Sequence, residues 1–149
     1  MPPSPWTATP WSAEPRRRAG EPQPLLDRPS ALAARYRHLA LKTTETLAVV
    51  AYDANGAVLA EHSLHGDATG VAATPAEVLR GALWVRASAL ALVHNHPSGY
   101  AVPSSADLRF TRSILCACEV LQLGLVDHVI VASRGWLSLR DSGWLRGVP

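Results

Sequence analysis

Two histidines flank a single residue in His94-Asn95-His96, and a carboxylate, Asp107, follows with ten residues between it and the second histidine. Side chains alternate along an extended segment, so the two imidazoles project to the same side. A carboxylate brought in by the next element completes a set of three ligands and leaves a fourth position for water. That open position is what separates a catalytic zinc from a closed structural one. Zinc held in this way lowers the pKa of its water to about 7 and polarises a carbonyl. A protein carboxylate must then accept the water's proton and pass it to the leaving group. Asp107 also stands three residues after Ser104, and Ser104-x-x-Asp107 is a capping-box start for a helix. One carboxylate is not expected to fill both roles with equal geometry. Asp107 is therefore read as a metal ligand, with Ser104 or Ser105 capping the helix.

The elements around these residues must bring them together. Residues 89–93 form a short apolar run that reads as a buried strand delivering His94 and His96 at its end, after which Pro97-Ser98-Gly99 turns the chain away. Residues 46–52 (TLAVVAY) read as a buried strand, Asp53-Ala54-Asn55-Gly56 supplies turn residues, and 57–65 returns as the other arm of a hairpin. Thr74-Pro75-Ala76-Glu77 combines a Thr cap, Pro in the first turn and Glu three residues after the cap, which predicts a helix to about Ser88. Residues 105–123 predict a second long helix, with Leu108, Thr111, Leu115, Cys118 and Leu121 on one stripe and Gly124 ending it. Residues 126–132 and 136–139 complete the set as strands joined by Ser133-Arg134-Gly135, and a short helix from a Ser30 cap to about His38 precedes everything. This order suits an α/β or α+β domain: a mixed sheet with helices packed against it.

Composition narrows the function classes. The first thirty residues hold eight of the twelve prolines together with Arg16-Arg17-Arg18, so residues 1–29 read as a disordered Pro-rich leader and 30–149 as one domain. No apolar stretch is long enough for a secretory signal or a membrane span, which points to a cytoplasmic protein. Cys116 and Cys118 lie two apart in a helical pattern, face different ways and read as buried packing rather than a disulfide. A formal charge of +2, from thirteen Arg and one Lys against twelve acids, does not demand a nucleic-acid partner.

With Pro97, Ser104 and Asp107 in register, the pattern H-x-H-P-x6-S-x2-D resembles the JAMM motif of the JAB/MPN metalloprotease fold. The surrounding HNHPSG, PSSAD and LVDHVIVA resemble its bacterial RadC branch over Leu47 to Leu145. The resemblance implies a cytidine-deaminase-like sheet packed between helices, Zn2+ on His94, His96 and Asp107, and hydrolysis of a peptide or isopeptide bond in an unidentified protein substrate. It places Glu61, four residues ahead of His65-Gly66, at the family's upstream glutamate as general acid/base, and Ser104 as the hydroxyl that hydrogen-bonds the oxyanion. By the same alternation His65 borders the cleft or the surface, His62 faces away, and Asp127-His128 is read as packing or a local ion pair. The rival readings are a non-catalytic binding module on this fold and the DNA-repair association attached to the RadC name. Retention of every motif residue argues against the first, and the modest charge gives the second no support.

Overall fold

A computed structural model of the protein describes residues 26, 28–66 and 73–146. Five strands form one sheet in the order β2-β1-β3-β4-β5, where β1 is Thr46–Tyr52, β2 Val58–His65, β3 Ala89–Asn95, β4 Gly124–Ala132 and β5 Gly135–Ser138. Only β3 and β4 pair in parallel; the other three pairings are antiparallel. Among the described residues three α-helices complete the fold: α1 (Pro29–Tyr36, continued by a 3-10 turn over Arg37–Leu41), α2 (Pro75–Trp84) and α3 (Ser105–Leu121).

The interior strand β1 is buried at every position because both sheet faces are covered, which is why its sequence is a continuous apolar run rather than an alternating one. Leu47, Val49 and Ala51 face a core shared with Leu90 and Leu92 of β3, Val78 and Ala82 of α2, and Ile114 and Cys118 of α3. Ala48, Val50 and Tyr52 face the other core, with Leu32 and Tyr36 of α1 and Val129 and Val131 of β4. The mixed α+β sheet between helices expected from the sequence is thus present, as three layers. No helix among the described residues is long and apolar enough to cross a membrane.

Several boundaries differ from the sequence reading, each for a local reason. Arg28 rather than Ser30 precedes α1 and caps it only with backbone, since Pro29 already supplies the helical φ at its first position. Leu26 is buried and its carbonyl accepts from the Tyr52 hydroxyl at 2.7 Å, so the packed domain begins ahead of residue 30. Residues 1–25, the bulk of the expected leader, lie outside the described residues. Helix α2 stops at Trp84, where Arg86 takes a positive φ. Gln122, not Gly124, ends α3 in the left-handed conformation, while Gly124 opens β4 where an added Cβ would stand 3.1 Å from that of Ala89. On α3 the buried line runs through Thr111, Ile114 and Cys118 rather than through Leu115 and Leu121, and Cys116 is exposed.

Candidate metal centre

His94 and His96 leave the sheet at the C-terminal end of β3. His94 pairs with Leu47 of β1 and Ile130 of β4, so its ring lies on the α2/α3 side of the sheet and is 3% exposed. Asn95 alternates to the other side. His96 extends the parallel pairing by donating its N–H to the Val131 carbonyl at 3.0 Å, and its ring returns to the His94 side. The two Nε2 atoms stand 2.9 Å apart. Beyond them the chain reverses at Gly99, whose φ of +89 is one that L side chains rarely adopt and whose Cβ, if present, would meet Ser133 Oγ at 2.9 Å. The reversal carries the Tyr100 carbonyl to 3.0 Å from His96 Nδ1. A carbonyl only accepts, so His96 Nδ1 holds a hydrogen, and in the neutral ring its Nε2 offers a lone pair.

Asp107 is the third residue of α3. Its Oδ1 lies 3.2 Å from His94 Nε2 and its Oδ2 3.2 Å from His96 Nε2. Oδ2 also accepts the Ser104 backbone N–H at 2.6 Å, and Ser104 Oγ accepts the Asp107 N–H at 3.1 Å. The expectation that one carboxylate could not fill both roles is corrected: it caps the helix and at the same time presents its oxygens to both imidazoles. At the third helical position the side chain lies back across the first turn, so it can accept from the cap residue and still present oxygens to the imidazoles.

His94, His96 and Asp107 form a group able to hold a metal ion. Bonds of about 2.0–2.2 Å in a tetrahedral arrangement place neighbouring ligand atoms roughly 3.3–3.5 Å apart. The observed 2.9 and 3.2 Å are within a few tenths of an ångström of that range. The electrostatics favour positive charge, as a proton or a cation, between these groups. Burial pushes the Asp107 carboxyl up, but the His94 and His96 rings beside it and the Ser104 backbone N–H outweigh it and hold the group well below the usual carboxylate range. The adjoining Asp107 carboxylate raises His96 against the opposing effect of burial, with help from the Tyr100 carbonyl and the Glu45 charge. Electron-rich atoms converge here, and a shared positive charge relieves their repulsion.

Glu61 is not brought to this centre. It pairs with Val50, which pairs in turn with Ala91, and directly paired residues share a face, so Glu61 lies on the α1 side of the sheet, opposite His94. There Arg35 Nη2 donates to Oε2 at 2.6 Å, Arg35 Nε donates to Oε1 at 3.1 Å, and the Tyr36 hydroxyl donates to Oε1 at 2.5 Å. His65 shares that face and sits 3.5 Å from Thr46 Oγ1, whereas His62, expected to face away, lies on the metal side of the sheet opposite Val49. The alternation was read correctly and assigned to the wrong face.

The Glu61 cluster has a measurable consequence. Burial pushes the Glu61 carboxyl up, but the hydrogen bonds from Arg35 and Tyr36 and the Arg35 charge prevail and hold it below its ordinary value. A depressed folded pKa contributes stability that is present above the unfolded value and is lost as pH falls through the folded one. Because Arg35 is half exposed, Glu61→Gln should cost only about 1 kcal/mol at neutral pH. The gap in thermal midpoint between the parent and this variant should close as the pH falls below about 4.3. A gap that stayed constant down to pH 3 would show that the ion pair contributes nothing.

Four residues of the centre escaped the sequence reading. His128, expected to be structural packing or part of a local ion pair, places Nε2 2.7 Å from His94 Nδ1, and its own Nδ1 is 2.6 Å from Thr111 Oγ1. Its neighbour Asp127 points away, accepting from Ser138 Oγ at 2.6 Å and from the Arg140 N–H at 3.0 Å. The strand alternation of Asp127 and His128 was available as a signal. Glu45, half-buried, immediately precedes β1, and its charge acts on His96. Asn95, fully buried between the two histidines, holds that approach: its Oδ1 accepts the Thr46 N–H at 2.7 Å and its Nδ2 donates to the Thr44 carbonyl at 3.1 Å. Leu47 pairing with His94 places the start of β1 beside the histidines, a register that the sequence does not print.

Comparison of the sequence with known proteins finds a family. The sequence model of the RadC-like JAB domain covers residues 26–144. UPF0758 proteins of Burkholderia mallei and Burkholderia pseudomallei are each 36% identical over 125 residues, which is 83% of this chain and 45% of the relative. A UPF0758 protein of Burkholderia thailandensis is 35% identical over the same length, covering 48% of that relative. The chain thus spans less than half the length of these relatives. With its motif assembled in space and the family model matching most of its length, the chain belongs to the RadC-like JAB domain family.

Proposed function

We propose that this domain is a zinc-dependent hydrolase of peptide or isopeptide bonds, with His94, His96 and Asp107 as the metal ligands. The observation that carries the reading is the convergence of two imidazole Nε2 atoms and one carboxylate at 2.9–3.2 Å. Zinc in a three-ligand site supplies an activated water and polarises the scissile carbonyl.

The chain's own residues account for the rest. Glu45 replaces Glu61 as proton acceptor, because it is the acid outside the ligand set whose charge reaches His96, and Asn95 anchors the backbone on both sides of it. Ser104 Oγ accepts from Asp107 N–H, which leaves its own hydrogen available to an oxyanion above the ligands. The substrate is an unidentified peptide or protein. Both cysteines are free thiols, which suits the cytoplasm.

The test is metal content and cleavage together. Protein reconstituted with zinc and dialysed should retain about one zinc per chain, as expected of a single three-ligand site. It should cleave members of a peptide and isopeptide library, lose that activity to a chelator and regain it with zinc. Failure to retain zinc would remove the metal assignment. Retained zinc with no cleavage of any library member would leave a metal-binding module and remove the hydrolase.

A further inference from the structure

A histidine ligates a metal only through a nitrogen that carries no hydrogen, so something must decide which nitrogen of His94 that is. The deciding chain begins at the helix. Thr111 Oγ1 lies 2.6 Å from the Asp107 carbonyl and 2.6 Å from His128 Nδ1. A carbonyl brings no hydrogen, so the Thr111 hydroxyl must donate to it, and this hydroxyl has only one hydrogen to give. His128 Nδ1 must therefore be the donor to Thr111. His128 is 1% exposed, and among the described residues no carboxylate hydrogen-bonds its ring, so a cationic ring there would be an unpaired buried charge. It is neutral, with its one hydrogen on Nδ1, and its Nε2 can only accept. The 2.7 Å contact then requires the hydrogen on His94 Nδ1, and His94 Nε2 is left bare toward Asp107 and His96.

We propose that Thr111 and His128 are positioning residues that select the His94 tautomer, so that its Nε2 faces the metal with a free lone pair. This rests on the metal reading given above for its effect on affinity, but not for its effect on the ring itself. The relay has work to do. A charged Asp107 oxygen 3.2 Å from His94 Nε2 would otherwise favour a hydrogen on that nitrogen, and the bound metal would have to displace it. His96 needs no such relay, since a backbone carbonyl fixes its Nδ1 hydrogen directly. Without the Thr111 oxygen, His128 loses the acceptor on Nδ1, its hydrogen is free to move to Nε2, and the His94 pair inverts.

Two measurements test this. Nitrogen NMR of metal-free parent at about pH 8, above the ordinary histidine pKa, should show His94 with a pyrrole-type Nδ1 and a pyridine-type Nε2. The reverse pattern would overturn the proposal whether or not the protein binds metal. In zinc titrations Thr111→Val should weaken affinity by about 10–100-fold, the range typical of lost outer-shell partners, and Thr111→Ser should restore it. A Thr111→Val variant that binds zinc as tightly as the parent would also overturn the proposal. Should the variant fail to fold, the NMR of the parent still decides. A parent with the expected tautomer but no zinc affinity would sink the metal reading and leave the relay standing.

Discussion

Glu45→Gln should fold, keep its zinc and lose about 10²–10⁴-fold in turnover, while Glu61→Gln should turn over as the parent does. Gln matches Glu in size but cannot take a proton from water, so the loss reports proton transfer rather than packing. The contrast follows from the sheet. The residue before β1 lies on the edge of the centre because Leu47 pairs with His94, whereas Glu61 lies three pairs further along and on the opposite face. Asn95 makes the difference specific. It is fully buried, and it ties the backbone on both sides of Glu45 to the strand that carries the histidines. Turnover on any substrate found by library screening, with zinc content measured on the same samples, checks the pair. Unchanged turnover in Glu45→Gln would remove its role, and a collapse in Glu61→Gln would mean that the two sheet faces cooperate in a way their placement does not suggest.

The same pair of glutamates shows where sequence reasoning reached and where it stopped. The grouping of His94, His96 and Asp107 was legible because its spacing is local: alternation fixes His94 and His96 on one side, and Asp107 follows within the next helix. The strands and both long helices were legible from apolar runs and from the Thr74–Glu77 capping box, which the structure forms in full. The placement of Glu45 was not, because it depends on which residue of one strand pairs with which residue of another. A period-2 pattern states that Glu61, Ser63 and His65 share a face but not which helix covers that face. The buried Tyr36 and exposed Arg35, brought by α1, settle the matter by binding Glu61. His128 was missed for a related reason. An Asp-His pair entering a strand reads as a local ion pair, yet alternation sends the carboxylate to Ser138 and the imidazole to His94. Asp107 was legible as either ligand or cap, and only the geometry of a first helical turn shows that these are compatible.

That double role gives the last prediction. Asp107→Asn should keep the fold and lose zinc affinity by more than the roughly 100-fold upper range seen for outer-shell partners, since a neutral amide replaces the only charged ligand. Its amide oxygen still accepts from Ser104 N–H, so the metal-free thermal midpoint should stay near the parent's. Asp107→Ala should lose the zinc as well, and in addition lower the metal-free midpoint, because the bond from Ser104 N–H at 2.6 Å then has no acceptor. Ser104→Ala removes the other half of the box. Loss of a cap is typically worth about 1 kcal/mol, or a midpoint drop of roughly 2–8 °C for a domain of this size. It should leave zinc affinity far less affected, since both imidazoles and the carboxylate remain. Zinc affinity and the metal-free midpoint therefore separate the two functions of one side chain: Asp107→Asn moves the first, Ser104→Ala the second, and Asp107→Ala both. If Asp107→Asn held zinc as tightly as the parent, the carboxylate would be a cap alone, and the two histidines would have to find their third ligand elsewhere.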